Sequence, residues 1–472
     1  MKKVFSNFIY QSLFQIVKII IPIITIPIVS NALGPKGIGT YNYTNSIAQY
    51  FILLASLGIA LYGNREVAMH RNNKFELSKT FWELELFSSI CSITMLLIYV
   101  LITIFLPNRI FFLVQGMSIL AVMFDISWFF MGLEKFKYVS LTNLIVQLCT
   151  FTLIILNIKS SADTLLYIAI QSGGILASAI LMWVFIFNKV EFVPIKIKNL
   201  RSHLRPIFAY FIPQVSIIIY TNLNKTILGA ISGTSAVGFF ANSLQLANVA
   251  ITLITTLDVV LLPQMSRLFA NNNQKKLISI LNKTLHLQLF FSLPTAGGLM
   301  IISSKLVPWF FGNKFLYLDY LIPVISLLVV IIPMGMSISR QYLMPIGHIK
   351  EYNISVMIGA GISIILNFSL IPVMGIWGAI IGSVMSELFV TVTRVRGLII
   401  DTSFRYDLKK IAIYSLSTII MMLTIELSTN RLPATLLTTL VQIVIGFVTY
   451  LLMTFLFGEK VLVNIVKKLL NK

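Results

Sequence analysis

Two lysines stand where a lysine is expensive. Lys18 and Lys225 each fall inside an apolar stretch long enough to cross a bilayer, and a charge at that depth is tolerated only where water or a counter-anion reaches it. Each has polar company on its own helical face. Gln11, Gln15 and Lys18 recur at i, i+4, i+7, and Gln214, Thr221 and Lys225 at i, i+7, i+11, with Asn224 immediately before the second lysine. The stretch following each carries carboxamides at helical spacing: Asn42, Asn45 and Gln49 in one, Asn242, Gln245 and Asn248 in the other. A single stripe of this kind reads as hydrogen-bonding glue between helices. Four stripes at corresponding positions of two halves, two of them with a Lys, read as the lining of one shared water-filled cavity, as in transporters built from repeats. Asp125, Asp258 and Glu387 put acids inside other stretches; Asp125 and Asp258 are read as coupling or gating residues, together with Arg65 and Arg71 at the cytoplasmic mouth.

No nucleophile, base and orienter set and no phosphate-cradling glycine loop accompanies these residues, so an enzyme is not expected. His70, His203 and His348 lie in or beside loops and His286 stands alone in a span. Cys91 and Cys149 form no CxxC pair. Neither a metal site nor a cofactor is anticipated.

The elements that must position the polar stripes follow from composition. With 57% hydrophobic and only 11% charged residues the chain is too apolar to fold in water, and its mean hydropathy is +0.90. Apolar runs of about 20 residues recur, the length a helix needs to cross hydrocarbon while satisfying its own backbone. The chain is therefore all-α, a polytopic membrane protein with about 14 transmembrane helices. The first six run Ser6–Ser30, Gly39–Tyr62, Thr80–Leu106, Ile110–Met131, Tyr138–Ile158 and Thr164–Asn188. The next six run Pro206–Ala230, Ala236–Leu262, Leu277–Ser304, Tyr320–Ser339, Asn353–Pro372 and Gly375–Val392, and Ile411–Leu427 and Leu436–Phe457 close the series. The domains expected are a six-helix lobe over 1–205, a second over 206–400, and two peripheral helices with a tail over 401–472.

A formal charge of +20 could suggest nucleic acid, but no soluble module exists to carry a basic patch, and topology accounts for it better. With the amino terminus cytoplasmic, only Lys36, Arg109, Lys159, Lys305, Lys314 and Arg431 fall outside, and Lys18 and Lys225 alone fall within spans. Both termini are then cytoplasmic. Pro22, Pro27 and Pro213 interrupt the two lysine-bearing helices, as kinks or hinges. Gly39-Thr40-Tyr41 is echoed by Gly238-Phe239-Phe240, each opening the second span of its half, and Gly378 with Gly382 marks a close helix approach.

Several segments resemble the bacterial polysaccharide repeat-unit flippases, the Wzx-like branch of the multidrug, oligosaccharidyl-lipid and polysaccharide exporter superfamily. They run from Leu33-Gly34-Pro35 to Gly39-Thr40-Tyr41, from Leu57-Gly58-Ile59 to Gly63-Asn64-Arg65-Glu66, and through Asp125–Phe136; later ones are Leu262–Ser266, Tyr342–Gly347 and Asn367–Pro372. The resemblance implies two six-helix lobes around a central cavity plus two C-terminal helices. It also implies outward movement of an undecaprenyl-diphosphate-linked oligosaccharide across the bacterial plasma membrane by alternating access. The partners it implies are that lipid-linked oligosaccharide, membrane lipids, a coupling proton or sodium ion and polysaccharide polymerase machinery, with no nucleic acid. Lys18 and Lys225 would serve the diphosphate, and the Asn and Gln stripes the sugar hydroxyls. Where such proteins often have an Asp before the seventh-span Lys this chain has Asn224, and Gln264 replaces a frequent Arg, so an Asp to Lys coupling pair is not available here. The alternatives are a multidrug exporter of the same superfamily, against which the surplus of Lys argues, and a membrane polysaccharide polymerase or ligase, for which the outer loops are too short.

Overall fold

The computed structural model describes residues 2–187, 189–195 and 200–459; the side chains of 2–16, 18, 19, 201, 202, 209, 210, 212 and 213 lie outside the described set, and with them Gln11, Gln15 and Lys18. Among the described residues there is helix and turn but no strand. By internal contacts the chain divides into two compact units, one up to Gly238 and one from Phe239.

The first unit opens with α1 (Lys2–Ser56). One straight helix of that length would measure about 80 Å against a hydrocarbon core of about 30 Å. It is two helices, because Gly34 takes φ 67° and ψ −177° and turns the chain, and Pro35 then starts the second helix with a φ already suited to it. The second span ends at Leu57 and Gly58, both at positive φ, before α2 (Ile59–His70) resumes. Next come α3 (Lys74–Thr103), α4 (Arg109–Gln115), α5 (Met117–Phe124), α6 (Ser127–Gly132), α7 (Phe136–Asn157), α8 (Thr164–Met182) and α9 (Leu200–Ser232). Where the sequence suggested one helix over Ile110–Met131, three short ones follow each other. The break between α5 and α6 falls at Asp125, whose Oδ1 accepts from the Ser127 amide at 2.9 Å in place of a helical carbonyl.

The helix α10 (Thr234–Ala270) leads into the second unit, which holds α11 (Gln274–Phe310), α12 (Leu318–Ile325), α13 (Leu328–Ile338), α14 (Ile349–Met374), α15 (Ile376–Asp401), α16 (Leu408–Thr429) and α17 (Leu436–Leu456). A π-helical turn over Ser339–Leu343 extends the predicted Tyr320–Ser339 span. Twelve stretches are long and apolar enough to cross a membrane; one of them, Ile20–His70, contains the two spans that meet at Gly34. The 33-residue α9 covers the seventh span expected from the sequence.

Motif residues make the helices meet. A Cβ on Gly63 would lie 2.6 Å from the Trp128 ring, and one on Gly132 would lie 2.7 Å from Val67 and from the Asn64 carbonyl, so glycines let α2 and α6 touch backbone to side chain. Phe81, Trp128, Phe129 and Phe130 fill the core beside them. In the second unit Met265, Tyr342, Leu343 and Leu398 build the corresponding cluster. Without water to expel, such close van der Waals contact is what holds membrane helices together. The expected approach at Gly378 is there as well: a Cβ would stand 2.5 Å from the Leu370 carbonyl of α14. The halves also share a helix start. Asn73 accepts from the Phe75 and Glu76 amides at the head of α3, and Asn273 accepts from the Lys276 amide at the head of α11.

Candidate functional site

In α9, Lys225 is partly buried, and among the described residues its ammonium has neither an ion-pair nor a hydrogen-bond partner. Its neighbours along the chain are polar. Asn224, 3% exposed, accepts from the Lys225 amide at 2.8 Å, and Asn222 donates to the Ile218 carbonyl at 3.3 Å. One residue further, the Thr226 hydroxyl donates to Ser46 at 3.0 Å and lies 3.2 Å from the Tyr50 hydroxyl. A Cβ on Gly229 would stand 2.1 Å from the Tyr43 ring. The seventh span is therefore seated directly on the second, a contact that sequence spacing left unread. Its signal was present: Thr226 and Gly229 are small residues at i, i+3, as helix interfaces in membranes favour. Thr221 is exposed and bonds back to Ile217 of its own helix, while Gln214 is partly buried.

The second-span stripe turns inward. Asn42 donates to the Ile38 carbonyl, whereas Asn45 Oδ1 accepts from Gln115 at 3.1 Å and from Gln49 at 3.4 Å. The structure thus engages Asn45 and Gln49 within the first unit. In the second unit Asn242 is 1% exposed, Gln245 is partly buried and Asn248 is exposed. Asp258 is fully buried, and its Oδ1 accepts from Ser337 at 2.6 Å, Gln341 at 2.7 Å and Gln288 at 2.9 Å. Arg65 is exposed, and Arg71 pairs with Glu134 at 2.9 Å on the surface, where such a pair is worth about 0–1 kcal/mol. Asp125 is exposed at the break in the fourth span.

Two helix bounds differ from the sequence reading. α15 runs to Asp401 rather than Val392, so Arg394, read as beyond the twelfth span, stands within the helix. It is buried there because it donates to the Gly335 carbonyl at 3.1 Å and to Ser355 at 3.0 Å, and lies over the Tyr352 ring. His203, read as lying in or beside a loop, stands in the first turn of α9. Its ring joins Tyr62 at 2.8 Å and Glu83 at 3.1 Å in a buried chain tying α9 to α2 and α3. Both were missed for one reason: a polar side chain near a span end looks like loop until its partners on other helices are known. Among the described residues, no three His, Cys, Asp or Glu side chains converge as a metal site would require.

Comparison with known proteins agrees with this architecture. A relative from Escherichia coli (strain K12), named as a candidate O-antigen transporter, is 25% identical over 400 residues, covering 82% of this chain and 94% of its own. One of the same name from Shigella dysenteriae is 22% identical over 277 residues, covering 58% and 68%. In fold, the chain is similar to the lipid II flippase MurJ in an inward closed conformation, with a TM-score of 0.79 at 18% identity and coverage of 96% and 100%. It is also similar to an inward-facing multidrug resistance MATE transporter, with a TM-score of 0.62 at 15% identity and coverage of 84% and 100%. Residues 4–269 match the family model described as polysaccharide biosynthesis protein. More than half of the chain lies in that match, the resemblance to Wzx-like repeat-unit flippases stands, and the chain belongs to the polysaccharide biosynthesis protein family.

Proposed function

We propose that this protein carries an undecaprenyl-diphosphate-linked oligosaccharide repeat unit from the cytoplasmic to the outer leaflet of the plasma membrane by alternating access. In this reading two six-helix lobes, 1–205 and 206–400, enclose the path, and both termini are cytoplasmic. The observation that carries it is Lys225, an ammonium inside a span with no partner among the described residues. A cation so placed calls for an anion, and a diphosphate supplies one in transit. Lys suits a moving phosphate because its charge is compact and its stem flexible, whereas Arg favours a fixed bidentate grip. Lys18, by its place in the sequence, is the second cation.

Outward movement of an anion is electrically downhill when the inside is negative, by about 2.3 kcal/mol per charge per 100 mV. The relatives named for O-antigen transport support a glycan cargo. A proton or a sodium ion is the coupling ion under this reading, and polymerase machinery would receive the flipped unit. The test is complementation. Cells lacking the gene should lose surface polysaccharide and accumulate lipid-linked repeat units. A Lys225→Gln protein at normal abundance should restore about a tenth of the export or less, the effect of losing one charged hydrogen bond. Lys225→Arg should retain part. Normal export by the Lys18→Gln and Lys225→Gln proteins, alone and combined, would move the anion site to Arg65 and Arg71.

A further inference from the structure

A cavity of ≈ 580 Å³ lies within the first unit, walled by the second half of α1 and by α5, α7 and α8. That is the size of pockets that hold small organic ligands. More of its wall is apolar than polar, and the polar side chains set in it recur at helical spacing. Asn143 and Gln147 stand at i, i+4 on one face of α7, Gln171 and Ser178 at i, i+7 on α8, Gln49 reaches in from α1, and the Asp125 carboxylate stands at the break after α5. Sequence reading had singled out only Gln49 and Asp125.

Packing glue uses both ends of a carboxamide to join helices, and these carboxamides are only half used. Ser178 donates to Asn143 Oδ1, Gln171 donates to the Tyr167 hydroxyl at 3.0 Å, Gln49 donates to Asn45 at 3.4 Å, and Asp125 Oδ1 takes the Ser127 amide. Among the described residues that leaves Asn143 Nδ2, Gln171 Oε1, Gln49 Oε1 and Asp125 Oδ2 with capacity to spare, and the Gln147 carboxamide with both ends free. Donors and acceptors therefore face one space side by side. A sugar hydroxyl both donates and accepts, so a ring bearing several of them matches this mixture. None of the lining residues is basic, which excludes the diphosphate as the ligand, and Ile52, Val139 and Val146 offer apolar wall to the C–H faces of a ring.

We propose that this cavity binds a neutral, hydroxyl-rich sugar of the transported glycan, apart from the diphosphate held near Lys225. The proposal rests on the function proposed above. The probe is the lipid extract of cells lacking the gene, which accumulate glycan-bearing lipid, set against the same extract after mild acid has cleaved the glycan and an aqueous wash has removed it. Purified protein with Cys91→Ser, Cys149→Ser and Gln147→Cys is labelled with a small water-soluble thiol reagent. The intact extract should slow labelling about tenfold, as occupancy at ten times the dissociation constant gives, and the acid-treated extract should not. Equal labelling in the two would overturn the proposal. In cells, Asn143→Leu combined with Gln147→Leu should cut surface polysaccharide about tenfold at unchanged abundance, because two hydrogen bonds to substrate are lost. Full export by that variant, where deletion abolishes export, would overturn this inference alone. Deletion that leaves surface polysaccharide intact would overturn the flippase reading itself.

Discussion

Gly39 of α1 and Gly238 of α10 meet, and replacing either should part the two helices. A Cβ on Gly39 would lie 1.6 Å from the Thr234 carbonyl oxygen and 2.8 Å from the Gly238 amide nitrogen, and one on Gly238 would lie 2.0 Å from the Pro35 carbonyl oxygen. These obstacles are backbone atoms, which cannot swing aside. Restoring ordinary van der Waals contact in Gly39→Ala requires the second half of α1 to part from the first turn of α10 by about 2 Å. Overpacking where side chains can adjust costs about 1–3 kcal/mol, and a backbone clash belongs at the upper end. Taken off the state in which the two helices touch, about 3 kcal/mol changes the ratio of touching to parted by about 150-fold. Alanine is the better helix former by about 1 kcal/mol, so weaker helices cannot account for an opening. The assay places cysteine at Ser46, which is fully buried beyond this contact, in a protein with Cys91 and Cys149 replaced by Ser. An impermeant maleimide added to intact cells should label Ser46→Cys slowly in the parent and quickly once Gly39→Ala or Gly238→Ala is added. Unchanged labelling at normal abundance would refute the argument that this glycine contact is what keeps Ser46 buried.

Two further outcomes are expected. Replacing Asp258 by Ala takes the acceptor from the Gln288 amide in a site with no exposure, at about 1–3 kcal/mol, while Ser337 keeps Gln288 Oε1 and Gln341 keeps only the Ser337 hydroxyl at 3.4 Å. Thermal unfolding in detergent should show a large loss for Asp258→Ala and a small one for Asp258→Asn, and equal transitions for the two would show that the acceptor is dispensable. Single cysteines at Ser161 and Pro194, both exposed, should label from opposite sides of the membrane, the first from outside. Outside labelling of both would reverse the topology drawn from the lysine and arginine distribution.

What the sequence discloses well is whatever depends on one helix alone. The fourteen spans followed from apolar length, and the spacing of Asn143 and Gln147 would have been as readable as that of Gln11, Gln15 and Lys18. The difference is that an amide stripe acquires meaning only from the opposite wall. Gln171 and Ser178 lie on another helix, and nothing in a periodicity says that α7 and α8 present those faces to each other. Arg394 makes the same point in reverse. Hydropathy ended its span at Val392 because a charge usually marks the water, and the Gly335 carbonyl and Ser355 that hold it inside lie 59 and 39 residues away. Breaks are equally opaque: Gly34 and Gly58 were visible as residues, but only their positive φ values show which glycine turns the chain.

The motif residues that carry the family resemblance and the residues proposed to carry the chemistry are mostly different sets, and their physics explains why. Gly63, Gly132, Trp128 and Phe129 act by shape. A glycine facing an indole fits no larger residue without moving a helix, so these positions are fixed by packing rather than by cargo. Carboxamides around a glycan act by hydrogen-bond capacity, and Asn, Gln, Ser and Thr can exchange as the sugar changes, so they leave no fixed motif. Asp125 belongs to both sets. One of its oxygens takes the Ser127 amide and so ends α5, which sets the turn that delivers Trp128 to Gly63, while its carboxylate also lines the cavity between α7 and α8. A residue that shapes the α2 and α6 contact and faces the proposed sugar site couples the two by construction. Any occupant that draws on the second carboxylate oxygen pulls on the same turn that seats the indole, and so on the contact between α2 and α6.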